Sequence, residues 1–293
     1  MRIFHYLCSV KQQIEYIISQ LRESYSYEES RELAYWILEE IYGLTRAEIL
    51  IGCKDTKKNV NAQANTTFHE HSIENIVEKL KAHMPIQYIF GHTEWMGLDI
   101  LLTPSTLIPR PETAELVEWI CQKCSHNVRA RVVDIGTGSG CIAIALKQRA
   151  PLWQVTGLDI SPDALEIAKK NATHNNVQVD WIQIDILDEE CKEEFDIIVS
   201  NPPYICNREK IDMEARVLDY EPHSALFVPD NDPLLFYRRI ADLKPSLLFF
   251  EINEAYGEAV CAMMKEKGYT NIELKNDIYG KPRMVFGAIN RQG

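Results

Sequence analysis

The hydrophobic pattern divides the chain into two unlike stretches. Over roughly the first eighty residues, apolar positions recur at helical spacing: Ile14, Ile17, Ile18 and Leu21, then Leu33, Ala34, Ile37, Leu38 and Ile41, then Ile73, Ile76, Val77 and Leu80. Gly43 supplies a C-terminal stop for the second helix, and Thr45-Arg-Ala-Glu48 has the form of a capping box opening a short third one. The polar run Asp55–Asn65 reads as a solvated loop, and the helix carrying Leu80 ends before Pro85. From Gln87 to Leu102 the pattern changes: Tyr88, Ile89, Phe90, Gly91, Trp95, Leu98, Ile100 and Leu102 predict a small β-hairpin.

Beyond Pro111, helices and strands alternate. Helices are predicted over 112–124, 139–149, 162–174, 233–242 and 254–267, and strands over 131–135, 154–158, 177–184, 196–200, 247–252, 272–274 and 284–288. This alternation implies an α/β domain with a parallel sheet covered on both faces. The domain organisation expected is a helical domain over 1–84, a hairpin linker over 85–108 and an α/β domain over 109–293.

Composition narrows the function classes. Hydrophobic residues make up 46% and charged residues 25% of the chain, so both domains can bury ordinary cores. No apolar run approaches the ~20 residues that span a bilayer, and the segment Met1–Cys8 is too short and polar for a secretory leader, so a cytoplasmic protein is expected. The eight cysteines follow no regular spacing and read as reduced thiols. Cys121 and Cys124, followed by His126, lack the second ligand pair that zinc requires, and no metal is expected. The net charge of −12 argues against a protein that grips duplex DNA, and favours a protein or small-molecule substrate.

Two motifs carry chemistry. In Asp134-Ile-Gly136-Thr137-Gly138-Ser139-Gly140, a strand runs into a glycine turn that opens a helix. Glycines there permit a sharp turn and close ligand approach, and the helix N-terminus presents free N–H groups. Val155-Thr-Gly-Leu-Asp159 ends the next strand in an acid suited to accept from both ribose hydroxyls. This much indicates a nucleoside cofactor, and Gly138–Ala143 also fits a looser dinucleotide fingerprint. Asp134 would repel a pyrophosphate but accept from a methionine ammonium, which favours S-adenosylmethionine.

The second motif, Asn201-Pro202-Pro203-Tyr204, ends a buried strand roughly sixty residues later. The prolines stiffen the backbone around Asn201 and bring no N–H of their own. A carboxamide or ring NH2 is a poor nucleophile because its lone pair is delocalised. Two acceptors, the Asn201 side-chain oxygen and the Pro202 carbonyl, would orient its hydrogens and favour the positive charge that develops on nitrogen. Tyr204 offers a flat face for a planar group. Asn201, Pro202 and Tyr204 are therefore the candidate catalytic residues, and with Pro203 they form the candidate substrate site.

The chain resembles the peptide chain release factor glutamine methyltransferases. The resemblance rests on Pro85–Gly91, Leu107-Ile-Pro-Arg-Pro-Glu-Thr113, the Asp134–Gly140 loop, Asn201–Tyr204, Tyr220-Glu-Pro222 with Ala225-Leu226, and Asp277-Ile-Tyr-Gly280 with Arg283. It implies a class I methyltransferase (Rossmann-like) fold with a seven-stranded sheet, preceded by a helical domain that docks the release factor and a hairpin linker. It also implies methylation of the glutamine of a Gly-Gly-Gln motif, with S-adenosylmethionine held by Asp134, Gly136, Thr137, Gly138, Ser139, Gly140, Asp159, Asp185, Ile186 and Asn201. Arg110 and Thr113 would border that pocket. The chain departs from the family pattern at Ala114 (commonly Glu), at Ile186 (commonly aromatic) and at Asn253 (commonly Gly). Other readings of Asn-Pro-Pro-Tyr are a ribosomal-protein glutamine methyltransferase, an adenine-N6 DNA methyltransferase and a cofactor-binding partner without catalysis. Neither stable nucleic-acid binding nor a membrane is expected.

Overall fold

The computed structural model describes residues 10–51, 72–189, 191 and 193–289. The segment Met1–Cys8 and the polar run Asp55–Asn65 lie outside the described residues. The chain forms two compact units, Met1–Phe90 and Gly91–Gly293.

The first unit contains α1 (Val10–Leu21), α2 (Tyr27–Tyr42), α3 (Arg46–Ile51), α4 (Ile73–Lys81) and α5 (Ile86–Phe90). The apolar stripes predicted from spacing meet in one core, where Ile17, Leu21, Ile37, Leu38, Ile76 and Leu80 are buried. The Ser26 hydroxyl accepts from Glu29 N to start α2, and Gly43, at φ +61°, ends it. Thr45 and Glu48 form the capping box of α3: Thr45 N donates to Glu48 Oε2 (2.8 Å) and Glu48 N to Thr45 Oγ1 (3.3 Å). One expectation fails here, since residues 86–90 are helical rather than part of a hairpin strand. Pro85 opens that turn, its carbonyl accepting from Tyr88 N and Ile89 N, and Gly91 at φ +77° closes it.

The second unit starts with the hairpin β1 (His92–Trp95) and β2 (Leu98–Leu101), turned at Met96 and Gly97, both at positive φ as a tight hairpin turn requires. There follow α6 (Pro111–Lys123), β3 (Arg131–Ile135), α7 (Cys141–Arg149), β4 (Gln154–Asp159), α8 (Pro162–His174), β5 (Asp180–Gln183) and β6 (Ile197–Ser200). The chain continues through β7 (Ile205–Cys206), α9 (Ala215–Leu218), α10 (His223–Leu226), β8 (Phe227–Val228), α11 (Leu235–Ala241), β9 (Leu247–Glu251), α12 (Gly257–Glu266), β10 (Thr270–Asn276) and β11 (Pro282–Ala288). Strand β5 starts three residues later than its apolar pattern suggests, because Asn176 takes a left-handed conformation (φ +56°) and Val177 N caps α8 at Ala172 O.

Seven strands form one sheet in the order β10-β11-β9-β6-β3-β4-β5. The five from β9 to β5 are parallel, whereas β11 runs antiparallel between β9 and β10. The sheet is therefore mixed rather than parallel throughout. The tight turn after Asn276, in which Gly280 N returns to Asp277 O, can join only antiparallel neighbours. Successive residues of β9 serve opposite faces. Phe250 packs with Tyr237 of α11 and Val260 and Met264 of α12, while Phe249 meets Trp119 of α6 edge-on at 5.8 Å between ring centroids. Each such buried ring contributes about 1.5–3 kcal/mol. Among the described residues no helix is long and apolar enough to cross a membrane.

The chain runs from β3 outward through β4 to β5, then returns to the other side of β3 with β6 and β9. The carboxyl ends of β3 and β6 therefore flank a topological switch point, the place where open α/β sheets bind ligands.

Candidate active site

A cavity of about 250 Å³ opens at this switch point, and Gly136, Gly138, Asp159, Asp185, Asn201 and Pro202 are among its lining residues. Ile186 and Pro203 line it as well. The fold thus brings together residues from four separate segments of the sequence.

The three glycines of the loop serve different purposes. Gly136, Gly138 and Gly140 all have positive φ (+73°, +55° and +81°), which most side chains resist. A Cβ added at Gly136 or Gly138 would meet nothing within 4 Å, so at these cavity-lining positions the missing side chain is space for a ligand. At Gly140 a Cβ would lie 2.8 Å from the Trp181 ring and 3.0 Å from Ala168 Cβ. Its absence there allows β5 and α8 to pack closely. Gly140→Ala is accordingly expected to cost about 1–3 kcal/mol of stability, read as a lowered midpoint in urea unfolding. An unchanged midpoint would show that the Trp181 ring moves aside freely.

Asp159 is held from both sides: Gly138 N donates to Oδ2 (2.8 Å) and Ser161 N to Oδ1 (2.9 Å). Burial raises its pKa, and these backbone donors oppose the rise. Each oxygen retains a lone pair for a donor in the cavity. Asp185 accepts from Leu187 N through Oδ1 (2.9 Å), and the adjacent Ile186 contributes a buried aliphatic wall.

Asp134, Thr137, Ser139 and Gly140 form the frame under the loop and are absent from the cavity's lining. Asp134 is fully buried. Its Oδ2 accepts from Thr137 Oγ1 (2.5 Å), while Oδ1 has no hydrogen-bond partner among the described residues. The Ser139 carbonyl accepts from Asn171 Nδ2 (2.9 Å).

Asn201 follows β6, whose last residue, Ser200, is anchored by its hydroxyl to Ile135 O (2.6 Å). The Asn201 Nδ2 group donates to Thr113 Oγ1 (3.3 Å), and Thr113 Oγ1 donates to Glu251 Oε2 (2.6 Å). Tyr204 does not line the cavity, and its hydroxyl donates to Glu251 Oε1 (3.3 Å). Asn253 braces the same loop by donating to Tyr204 O (3.3 Å) and Glu209 Oε2 (3.1 Å). Arg110 turns instead to the buried Glu221 (2.5 Å), which also accepts from Ile108 N (3.4 Å), and so ties the segment before α6 to the one before α10.

Sequence reasoning passed over Glu251. The signal was present: an acid closing the apolar run Leu247–Phe250, where a buried carboxylate needs partners. It also missed Ser105, Ser224 and Phe236 at the cavity wall, whose residue types give no signal of their own.

Burial pushes both Asp134 and Glu251 up to about 7, against the hydrogen bonds they accept. A carboxyl whose folded pKa lies above its unfolded value stabilises the fold fully below the unfolded pKa, and that contribution disappears as pH rises through the folded one. These two groups therefore make the ligand-free protein less stable between about pH 4 and about pH 7 as pH rises. Asp134→Asn is expected to flatten that slope in urea unfolding measured across pH. An unaltered slope would rule Asp134 out as its source.

Residues 113–219 match the family model of the methyltransferase small domain, and residues 12–91 match that of the PrmC N-terminal domain. The chain is 41% identical over 278 residues to a release factor glutamine methyltransferase of Flavobacterium psychrophilum, covering 92% of this chain and 95% of that protein. It is 42% identical to the one from Bacteroides thetaiotaomicron, covering 92% and 96%. Among solved structures, the hMettl16 catalytic domain in complex with an RNA hairpin superposes with a TM-score of 0.55 at 17% identity, over 67% of this chain and 77% of that one. At that identity the likeness concerns the fold alone.

Proposed function

The chain belongs to the release factor glutamine methyltransferases, and from this premise we propose how its residues carry out the reaction. The enzyme transfers a methyl group from S-adenosylmethionine to the side-chain amide nitrogen of a glutamine in a peptide chain release factor. The residues present fit this cofactor. Gly136 and Gly138 leave open space where a Cβ would intrude, and Asp159 keeps two acceptor sites for ribose hydroxyls, while Asp134 supports the loop from beneath through Thr137. Asp185 and Ile186 would border the base, with Thr137, Ser139 and Gly140 holding the loop beneath. When bound, the cofactor supplies an electrophilic sulfonium methyl.

The observation that carries the reading is the Asn201 amide, whose NH2 is engaged by Thr113 so that Oδ1 is left as an acceptor in a cavity-lining residue. The substrate glutamine presents an NH2 of low nucleophilicity. Asn201 Oδ1 and the Pro202 carbonyl accept its two hydrogens and orient the nitrogen lone pair along the line of attack. Both acceptors favour the positive charge that grows on nitrogen, so most of the acceleration comes from alignment and electrostatics. Pro203 and Tyr204 keep the frame stiff, Tyr204 through its hydroxyl on Glu251. The helical unit, which matches the PrmC N-terminal domain, docks the release factor, and the site of action is the cytoplasm.

The deciding experiment is methyl transfer from labelled S-adenosylmethionine to a purified, unmodified release factor, with the Gly-Gly-Gln glutamine changed to alanine as control. Label on the first and none on the control is expected. Label on a ribosomal protein but not on the release factor would overturn the substrate assignment.

A further inference from the structure

We propose that Thr113 and Glu251 are positioning residues that set the polarity of the Asn201 amide, turning its oxygen rather than its NH2 toward the substrate nitrogen. This deepens the reading above and rests on the role given there to Asn201. An asparagine amide fits a pocket almost equally well in two orientations, because its oxygen and nitrogen ends have nearly the same shape. The two orientations offer opposite chemistry to a substrate. One presents an acceptor to the NH2 of glutamine; the other presents a second NH2, which repels it and gives the developing positive charge nothing to lean on.

The chain of hydrogen bonds behind Asn201 has a direction. Glu251 Oε2 accepts from Thr113 Oγ1 at 2.6 Å, and the hydroxyl proton is committed there. Thr113 Oγ1 can then only accept, which it does from Asn201 Nδ2 at 3.3 Å. Glu251 Oε1 accepts in turn from Tyr204 at 3.3 Å. An ionised Glu251 holds two hydroxyl donors and thereby dictates which end of Asn201 faces the cavity. Once protonated, Glu251 can donate to Thr113, whose own proton is released toward Asn201 Oδ1, and the amide loses its preferred orientation.

Titratable and polar groups face Glu251 from several elements. Thr113 and Glu112 come from α6, Cys141 from α7, Tyr204 from the loop after β6, and Arg283 from β11. Tyr237 of α11 donates to the Glu251 backbone carbonyl at 3.2 Å. Burial pushes Glu251 up to about 7, Arg283 and the two hydroxyls draw it down, and Glu112 adds to the rise. The group thus titrates where the orientation of Asn201 can be switched by modest acidification.

The test is the pH dependence of kcat, with saturating cofactor and release factor, for the wild type and for Thr113→Val, Thr113→Ser and Glu251→Gln. The wild type is expected to lose activity below about pH 7 with the slope of one proton. Thr113→Val and Glu251→Gln are expected to lower kcat by about 10²-fold and to abolish that acid limb. Thr113→Ser should restore both. Affinity for S-adenosylhomocysteine, measured by calorimetry, should stay constant throughout and reports that each variant is folded. Thr113→Val with near wild-type kcat and an intact acid limb would overturn the proposal. Should Glu251→Gln fail to bind the cofactor product, the valine and serine pair decides, since neither alters the buried charge. A wild type that transfers nothing to the release factor would sink the reading of the site, and this inference with it; an active wild type with an indifferent Thr113→Val sinks the inference alone.

Discussion

Asn201→Ala is expected to lower kcat for glutamine methylation by about 10²–10³-fold, with S-adenosylmethionine affinity changed by less than about threefold. The asymmetry follows from the geometry. The cofactor fit rests on Gly136, Gly138 and Asp159 on the β3 and β4 side of the switch point, and those residues keep all their partners when Asn201 is truncated. On the role proposed for Asn201, what disappears is an acceptor for the reacting nitrogen, whose contribution grows as charge develops there. Such an interaction affects the transition state more than the ground state and shows itself in kcat. Product-analogue binding by calorimetry and single-turnover transfer separate the two effects. An equal loss in both would move Asn201 from the transfer step to cofactor binding.

The second large effect is expected at Asp159. Its carboxylate combines two duties, since it anchors Gly138 N and Ser161 N and keeps one lone pair on each oxygen for the cavity. Charge-assisted hydrogen bonds are worth about 1.5–3 kcal/mol each. Asp159→Ala should therefore weaken S-adenosylmethionine binding by about 10²–10⁴-fold, at two lost bonds and 1.4 kcal/mol per decade. Asp159→Asn, which keeps one acceptor oxygen, should fall between alanine and the wild type. For both variants kcat at saturating cofactor should change far less than Kd. Unchanged affinity in Asp159→Ala would remove the residue from the cofactor site.

Much of the fold was legible because it depends on local chemistry. Ile17, Leu21, Ile37 and Leu38 revealed a helical core by spacing alone, and the Thr45–Glu48 box gave the start of α3 from four letters. The glycine loop and Asn-Pro-Pro-Tyr were legible for the same reason: positive φ and a proline-stiffened backbone are demands that few residue types meet. The sequence failed at Ile86–Phe90, where three apolar residues after a proline suit a strand or a helical turn equally well, and only the Pro85 carbonyl accepting from two amides decides for the helix. It also failed at β11, since strand direction is not written in the residues of a strand but in the length of the turn before it.

Within the active site the division is sharper. Local sequence carried the chemical vocabulary of the candidate site: an acid after a strand, glycines at positive φ, an amide between a strand end and two prolines. Each is a property of neighbouring residues, so it survives in one dimension. Only the tertiary structure assigned roles that depend on distant partners. Gly140 and Gly136 look alike in sequence, yet one is packed under Trp181 and the other opens to the cavity. Arg110 pairs with Glu221, 111 positions away, a partner that nothing in its own segment announces. Asn201 and Glu251 lie 88 and 138 positions beyond Thr113, and only the sheet order β9-β6-β3 with α6 across it sets the three in one line of hydrogen bonds. Hydrogen bonds act over about 3 Å and have direction, so the orientation of the Asn201 amide belongs to the folded chain and to no part of it alone.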